Sequence, residues 1–167
     1  MGESETVEYA DMQAVLRFGH GHLPESVFVL LQVADPVSAR AWLREAAIST
    51  AEKQEHLPDC ALQIAFSAAG MQALGIGSGI INSFSSEFCA GMSGDANRSR
   101  RLGDVGANDP LNWLWGGPTT GVPHLLLMLY AKSGELDSRW TVMNDASFTQ
   151  AFRVSAEFFA TMNSQRE

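Results

Sequence analysis

The chain has 167 residues, 46% apolar, 18% charged and 9% aromatic, which is enough for one sizeable core and too varied for a fibrous or low-complexity protein. Its 11 basic and 19 acidic side chains give a formal net charge of -8, and the only dense basic run is Arg98, Arg100 and Arg101, so no nucleic-acid footprint is present. Two cysteines, Cys60 and Cys89, build no disulfide framework and fit a reducing, cytoplasmic setting; no secretory signal opens the chain, and the longest apolar run, residues 125–131, is too short to span a bilayer. The acidity is concentrated at the front, where residues 1–60 carry ten acidic and four basic side chains.

In chain order, residues 1–10 are charged with little to bury and read as a disordered acidic start, with a single domain expected over 11–162 and a tail over 163–167. Val27-Phe-Val-Leu-Leu-Gln-Val33 has the composition and length of a buried strand. Asp35-Pro36 opens a helix over 36–47, in which Ala39, Trp42, Leu43 and Ala46 recur at helical spacing. Residues 48–51 are expected to form a short edge strand. Along 61–67, Leu62, Ile64 and Phe66 alternate with Ala61, Gln63 and Ala65, the pattern of a strand. A short helix over 68–74 stops at Gly75, and a further helix is expected over 80–88. Residues 91–121, rich in Gly, Asp, Asn and Pro, read as a long irregular excursion. Residues 123–131 form a strong strand. Phe148, Phe152, Ser155, Phe159 and Met162 then recur at four, three, four and three, which predicts a helix with Ser147 and Gln150 as its capping box.

This order predicts an α+β fold: a ferredoxin-like βαββαβ sandwich with an extra C-terminal helix, as in dimeric α/β-barrel proteins. The strands over 27–33 and 124–130 are apolar on both faces, which calls for a second covering layer that this chain has few residues to supply. Self-association through that face is therefore expected.

No catalytic constellation emerges from residue chemistry. His20 and His22 lie two residues apart, but zinc needs three or four ligands, and only His56 and His124 remain, so they read as ordinary turn histidines. Cys89, in Phe88-Cys-Ala90, reads as a core thiol rather than a nucleophile served by His124. The Gly75–Gly79 and Gly116–Gly121 clusters lack the lysine and the strand–helix context of a phosphate cradle. Arg98, Arg100 and Arg101 beside Asp104 read as a solvated loop with local ion pairs. Trp113 and Trp115 either line a ligand or partner surface or pack the excursion onto its own domain.

Several stretches resemble the N-terminal half of the dye-decolorising peroxidases. Asp11-Met-Gln-Ala14 is similar to the family's opening Asp-Ile-Gln-Gly, with Ala14 in place of Gly. Residues 61–75 resemble its second long strand and the helix after it, and Ser83-Phe-Ser-Ser-Glu-Phe-Cys-Ala-Gly-Met92 resembles its Phe-Pro-x-x-Phe-x-x-Gly-Met stretch, with Ser85 in place of Pro. Leu102-Gly-Asp104, residues 110–113 and Val122-Pro-His124 complete a match over residues 11–131. The resemblance implies a haem peroxidase that oxidises dyes and aromatic substrates with hydrogen peroxide. It also implies that the catalytic Asp of Gly-x-x-Asp-Gly, an Arg and the iron-ligating His belong to a second half. The chain contains no Gly-x-x-Asp-Gly, and His124 sits in the N-terminal strand pattern. No catalytic, haem-binding or metal-binding residue is therefore assigned, haem is implied by family only, and the isolated chain is expected to be inactive. The expected partners are a second copy or a missing half-domain. The polar residues 163–167 read as the threshold of a missing haem half. A stand-alone self-associating domain without haem is the alternative.

Overall fold

Two-residue alternation along residues 125–131 decides the architecture. Leu125, Leu127, Leu129 and Ala131 are buried, while Leu126, Met128 and Tyr130 are half-buried on the opposite face. The computed structural model, which describes residues 7–162, places this strand beside three others. In chain order they are β1 (Glu25–Val33), β2 (Cys60–Phe66), β3 (Leu125–Ala131) and β4 (Phe152–Thr161), paired antiparallel in the order β2-β3-β1-β4. Helix α1 (Pro36–Glu45) joins β1 to β2. Residues 67–124 join β2 to β3 and carry α2 (Ala68–Ala73), α3 (Ser78–Ile81), α4 (Ser86–Ala90) and α5 (Ala96–Leu102). Helices α6 (Leu136–Met143) and α7 (Ala146–Ala151) join β3 to β4. The arrangement is the expected ferredoxin-like βαββαβ, with a long excursion where a hairpin would join the middle strands.

The core lies under the helices. Val27, Val29 and Leu31 of β1, the buried leucines of β3, and Leu62 and Ile64 of β2 form its floor. An aromatic cluster forms its roof: Phe148, fully buried, has its ring centroid 5.4 Å from those of Trp42 and Phe152 and 5.5 Å from that of Trp140. One side chain thus joins α1, α6, α7 and the start of β4. Asp35 caps α1 by accepting the Ser38 N–H at 2.6 Å, with Pro36 in the first turn as read from the sequence.

The outer edge of β2 is closed without a strand. The Gln13 side chain donates from Nε2 to the Ile64 carbonyl at 2.7 Å and accepts the Ile64 N–H on Oε1 at 2.8 Å. Next along the edge, Ser49 N–H donates to the Leu62 carbonyl at 2.9 Å and Ser49 Oγ accepts the Leu62 N–H at 3.1 Å. Gln63, fully buried, donates to the Ser49 carbonyl and accepts the Val15 N–H. Every one of these contacts satisfies a polar group that burial would otherwise leave costly.

Several expectations are corrected here. Residues 148–162 are not one helix: α7 ends at Ala151 and the chain continues as β4, so among the described residues there is no extra C-terminal helix. The cause is a β-bulge. Ala156 pairs with Leu30 and Val154 with Leu31, so Ser155 is an extra residue that shifts the alternation. The side chains facing the helices then fall at Phe152, Val154, Glu157 and Phe159, and this interrupted spacing imitates a helical stripe. The cap of α7 is Asp145, which accepts the Phe148 N–H at 2.9 Å, not the Ser147–Gln150 box. Residues 48–51 form no strand, only a single bridge from Thr50 to Gln13. The helix expected over 80–88 is two short helices, α3 and α4, and the excursion over 91–121 contains α5 and two 3-10 turns. Of the acidic start, residues 9–11 form a 3-10 turn. Residues 1–6 and the tail over 163–167 lie outside the described residues.

Phe148→Ala removes the centre of the roof and is expected to cost about 3–5 kcal/mol, read as a lower urea midpoint. Gln13→Glu keeps the acceptor and loses the donor to Ile64. It is expected to cost about 1–3 kcal/mol in the same measurement.

Candidate functional site

The face of the sheet away from the helices is the surface most open to function. Phe28 and Leu30 of β1, Leu126, Met128 and Tyr130 of β3 and Phe158 of β4 share it by register. Its cover is partial. At the β2 side, the segment around Gln13 lies against it, and the His20 ring stacks on Tyr130 with centroids 4.7 Å apart. At the β4 side, Trp115 from the excursion reaches Phe158 at 6.4 Å. Phe28 meets Tyr130 edge-on at 5.9 Å.

Burial shifts the titratable groups of this face toward their neutral forms. It holds His20 below the usual histidine value, helped by the charge of nearby His22, and it raises the Tyr130 phenol. His20 Nε2 is buried without a hydrogen-bond partner among the described residues. A positive charge there would be unpaired.

The residues singled out from sequence do not converge. His22 Nε2 lies 3.1 Å from the Pro58 carbonyl, anchoring the entry to β2. His124 accepts the Val33 N–H on Nδ1 at 3.0 Å, a structural bond that locks the β1–β3 end, and burial lowers its pKa. The Cys89 thiol is exposed on α4 and points to the Ile81 carbonyl at 3.2 Å, with no hydrogen bond to His124. Arg98 donates to the Gly91 carbonyl, and the helix it sits on is capped by Asp95 rather than paired with Asp104. The two ion pairs among the described residues, Lys132–Asp59 and Arg139–Glu135, lie elsewhere. Trp113 packs within the excursion, its Nε1 donating to the Asn108 carbonyl at 2.9 Å, while Trp115 turns to the sheet. The Gly116–Gly121 loop closes on itself through Gly116 N–H to the Gly121 carbonyl, leaving no cradle. Among the described residues no group of three or more His, Cys, Asp and Glu side chains is placed to hold a metal. No helix among them is long and apolar enough to cross a membrane.

Sequence reasoning passed over one pair. Arg139 donates to Cys60 Sγ at 3.1 Å while bound to Glu135. The pair borders a groove of about 910 Å³ between α1 and α6, floored by Leu62 and Leu129 and walled by Trp42 and Met143. Only the i, i+4 spacing of Glu135 and Arg139 was visible beforehand. The link to Cys60 is made by folding.

Two layers on a four-stranded sheet, with the second layer incomplete, define a ferredoxin-like α+β unit. No protein-family model matches the sequence, and no curated protein matches it. Among solved structures, a fungal DyP-type peroxidase from Auricularia auricula-judae superposes with TM-score 0.74 at 18% identity, over 97% of this chain and 35% of that one. A decolorizing peroxidase structure from the same fungus gives TM-score 0.75 at 20% identity over 96% and 35%. A dye-decolorizing peroxidase in complex with 2,6-dimethoxyphenol gives 0.72 at 18% over 96% and 36%. The chain therefore has the fold of part of a DyP-type peroxidase, and it spans about a third of the length of the proteins it matches.

The two half-buried histidines, His20 and His124, set a pH dependence. Both take up a proton less readily folded than unfolded, where the value is 6.5. Their contribution to stability is complete above that value and is lost as the pH falls through the folded-state values. The thermal midpoint is expected to drop between pH 7 and about pH 5. His124→Asn, which still accepts the Val33 N–H but does not titrate, is expected to flatten that drop.

Proposed function

We propose that this chain is a peroxidase-family unit that carries no haem chemistry of its own and works by offering its second sheet face to a covering partner. The observation that carries this reading is the doubly apolar pair β1 and β3, whose outer residues Phe28, Leu126, Met128 and Tyr130 remain only half-buried. The likeness in fold to about a third of each DyP-type peroxidase supports the family part of this reading.

Haem is the group that the resemblance implies, and the residues present do not fit it. His22 and His124 are engaged with the backbone, His20 stacks against Tyr130, and His56 stands exposed to solvent, outside the groove. The groove between α1 and α6 contains no histidine; of its two soft donors, Cys60 Sγ receives the Arg139 N–H and the Met143 thioether packs against the hydrophobic core. No step of peroxide chemistry is derived from these residues. A cytoplasmic setting is proposed on the two free thiols, one of them exposed.

Added haemin is the direct test. The chain is expected to leave the Soret band of haemin as it is in buffer, and peroxide-dependent dye oxidation no faster than with haemin alone. A sharpened Soret band, together with activity well above haemin that His124→Ala abolishes, would overturn the proposal.

A further inference from the structure

The two edges of the sheet are treated in opposite ways. The outer edge of β2 is closed by Gln13 and Ser49, whose polar atoms occupy the backbone groups of Ile64 and Leu62. The outer edge of β4 is left open. Met162 N–H donates inward to the Pro24 carbonyl at 2.7 Å. Alternation along an antiparallel ladder then turns the N–H and C=O of Glu157, Phe159 and Thr161 outward. Among the described residues nothing hydrogen-bonds those outward groups.

The side chains of this edge are apolar and exposed. Phe158 is 46% and Phe159 is 56% accessible. No Pro or Lys blunts the strand, the usual protection of an exposed edge. Its charges are Arg153 and Glu157, neither in an ion pair, so the strand is neutral in a chain of net charge -8. The bulge at Ser155 confines flat pairing to the residues after it.

We propose that this edge receives the same edge of a second copy, β4 against β4 antiparallel about a two-fold axis, giving one eight-stranded sheet. An unpaired row of N–H and C=O groups selects an extended strand as its occupant, and the residues of β4 make that strand its own complement. Outward amides meet outward amides in only a few registers. Centring on Glu157 sets two carboxylates opposite each other, which is unfavourable. Centring on Phe158 sets Glu157 against Phe159. Centring on Phe159 places the two Phe159 residues across the axis, Phe158 against Ala160, and Glu157 against Thr161, whose hydroxyl donates to the carboxylate. This last register is the one proposed. It also brings two acidic molecules together through a strand whose own charges, Arg153 and Glu157, cancel.

Four variants of the full chain, checked for an unchanged far-ultraviolet spectrum and thermal midpoint, test it by sedimentation and by thiol cross-linking. The unaltered chain is expected to sediment as a dimer at tens of micromolar, and Phe159→Lys as a monomer, since an edge lysine blocks strand addition. In a Cys89→Ser background, Phe159→Cys is expected to cross-link on oxidation, and Glu157→Cys is expected not to, because its own copy lies four residues away along the partner strand. A dimer that survives Phe159→Lys, a monomeric unaltered chain, equal cross-linking at both positions, or a dimer lost on Met128→Lys but kept by Phe159→Lys would overturn the proposal. The last of these outcomes would place the contact on the sheet face. A Phe159→Lys chain that loses its fold is replaced by Phe159→Pro, whose missing N–H points outward, with the same two readings.

Discussion

The structure depends on β1 and β3 occupying the middle of the sheet with apolar side chains on both faces. Each buries one set of leucines and valines under α1, α6 and α7 and leaves another set to be covered from the other side. Removing those side chains from water is the main favourable term available to a domain of this size. The helix face completes that burial and the second face does so only in part. The position of the N-terminal segment, the reach of Trp115 and the shift of His20 and Tyr130 toward their neutral forms all follow from the second face being apolar.

Polar satisfaction accounts for much of the remaining chain. A sheet with its edge strand lying under loops must supply partners for that strand's outer backbone groups, and here two side chains and one loop do so at β2. The excursion is anchored in the same currency: Ser67 donates to the Pro123 carbonyl at 2.7 Å, and its amide bonds the His124 carbonyl. Gly70 sits so close to that carbonyl that a Cβ would lie 1.9 Å from it, so α2 packs on the start of β3 only because this residue has no side chain.

Much of this was legible in the residues. The alternation of Leu62, Ile64 and Phe66, the β-branched run over 27–33 and the doubly apolar run over 125–131 gave three strands, and Asp35-Pro36 gave a helix start. The fold class followed from their order. The fourth strand was hidden because Ser155 breaks a period of two into a spacing that imitates a helix, and that bulge exists only against β1. The second face was legible as an excess of apolar residues with nothing to cover them. Its details were not: that Gln13 serves Ile64, that His20 stacks on Tyr130, and that Arg139 meets Cys60 are facts of long-range pairing with no local signal.

The order of the sheet has a consequence for how the chain is made. β1 ends at Val33, and its two neighbours, β3 and β4, begin at Leu125 and Phe152, so no hairpin gives it a local partner. At ribosomal rates of roughly 5–20 residues per second, β1 waits on the order of five to twenty seconds before any partner has been synthesised. During that interval its two greasy faces and two bare edges are available to whatever is nearby. A chain of this topology folds late, by closing long loops, rather than early from a local nucleus.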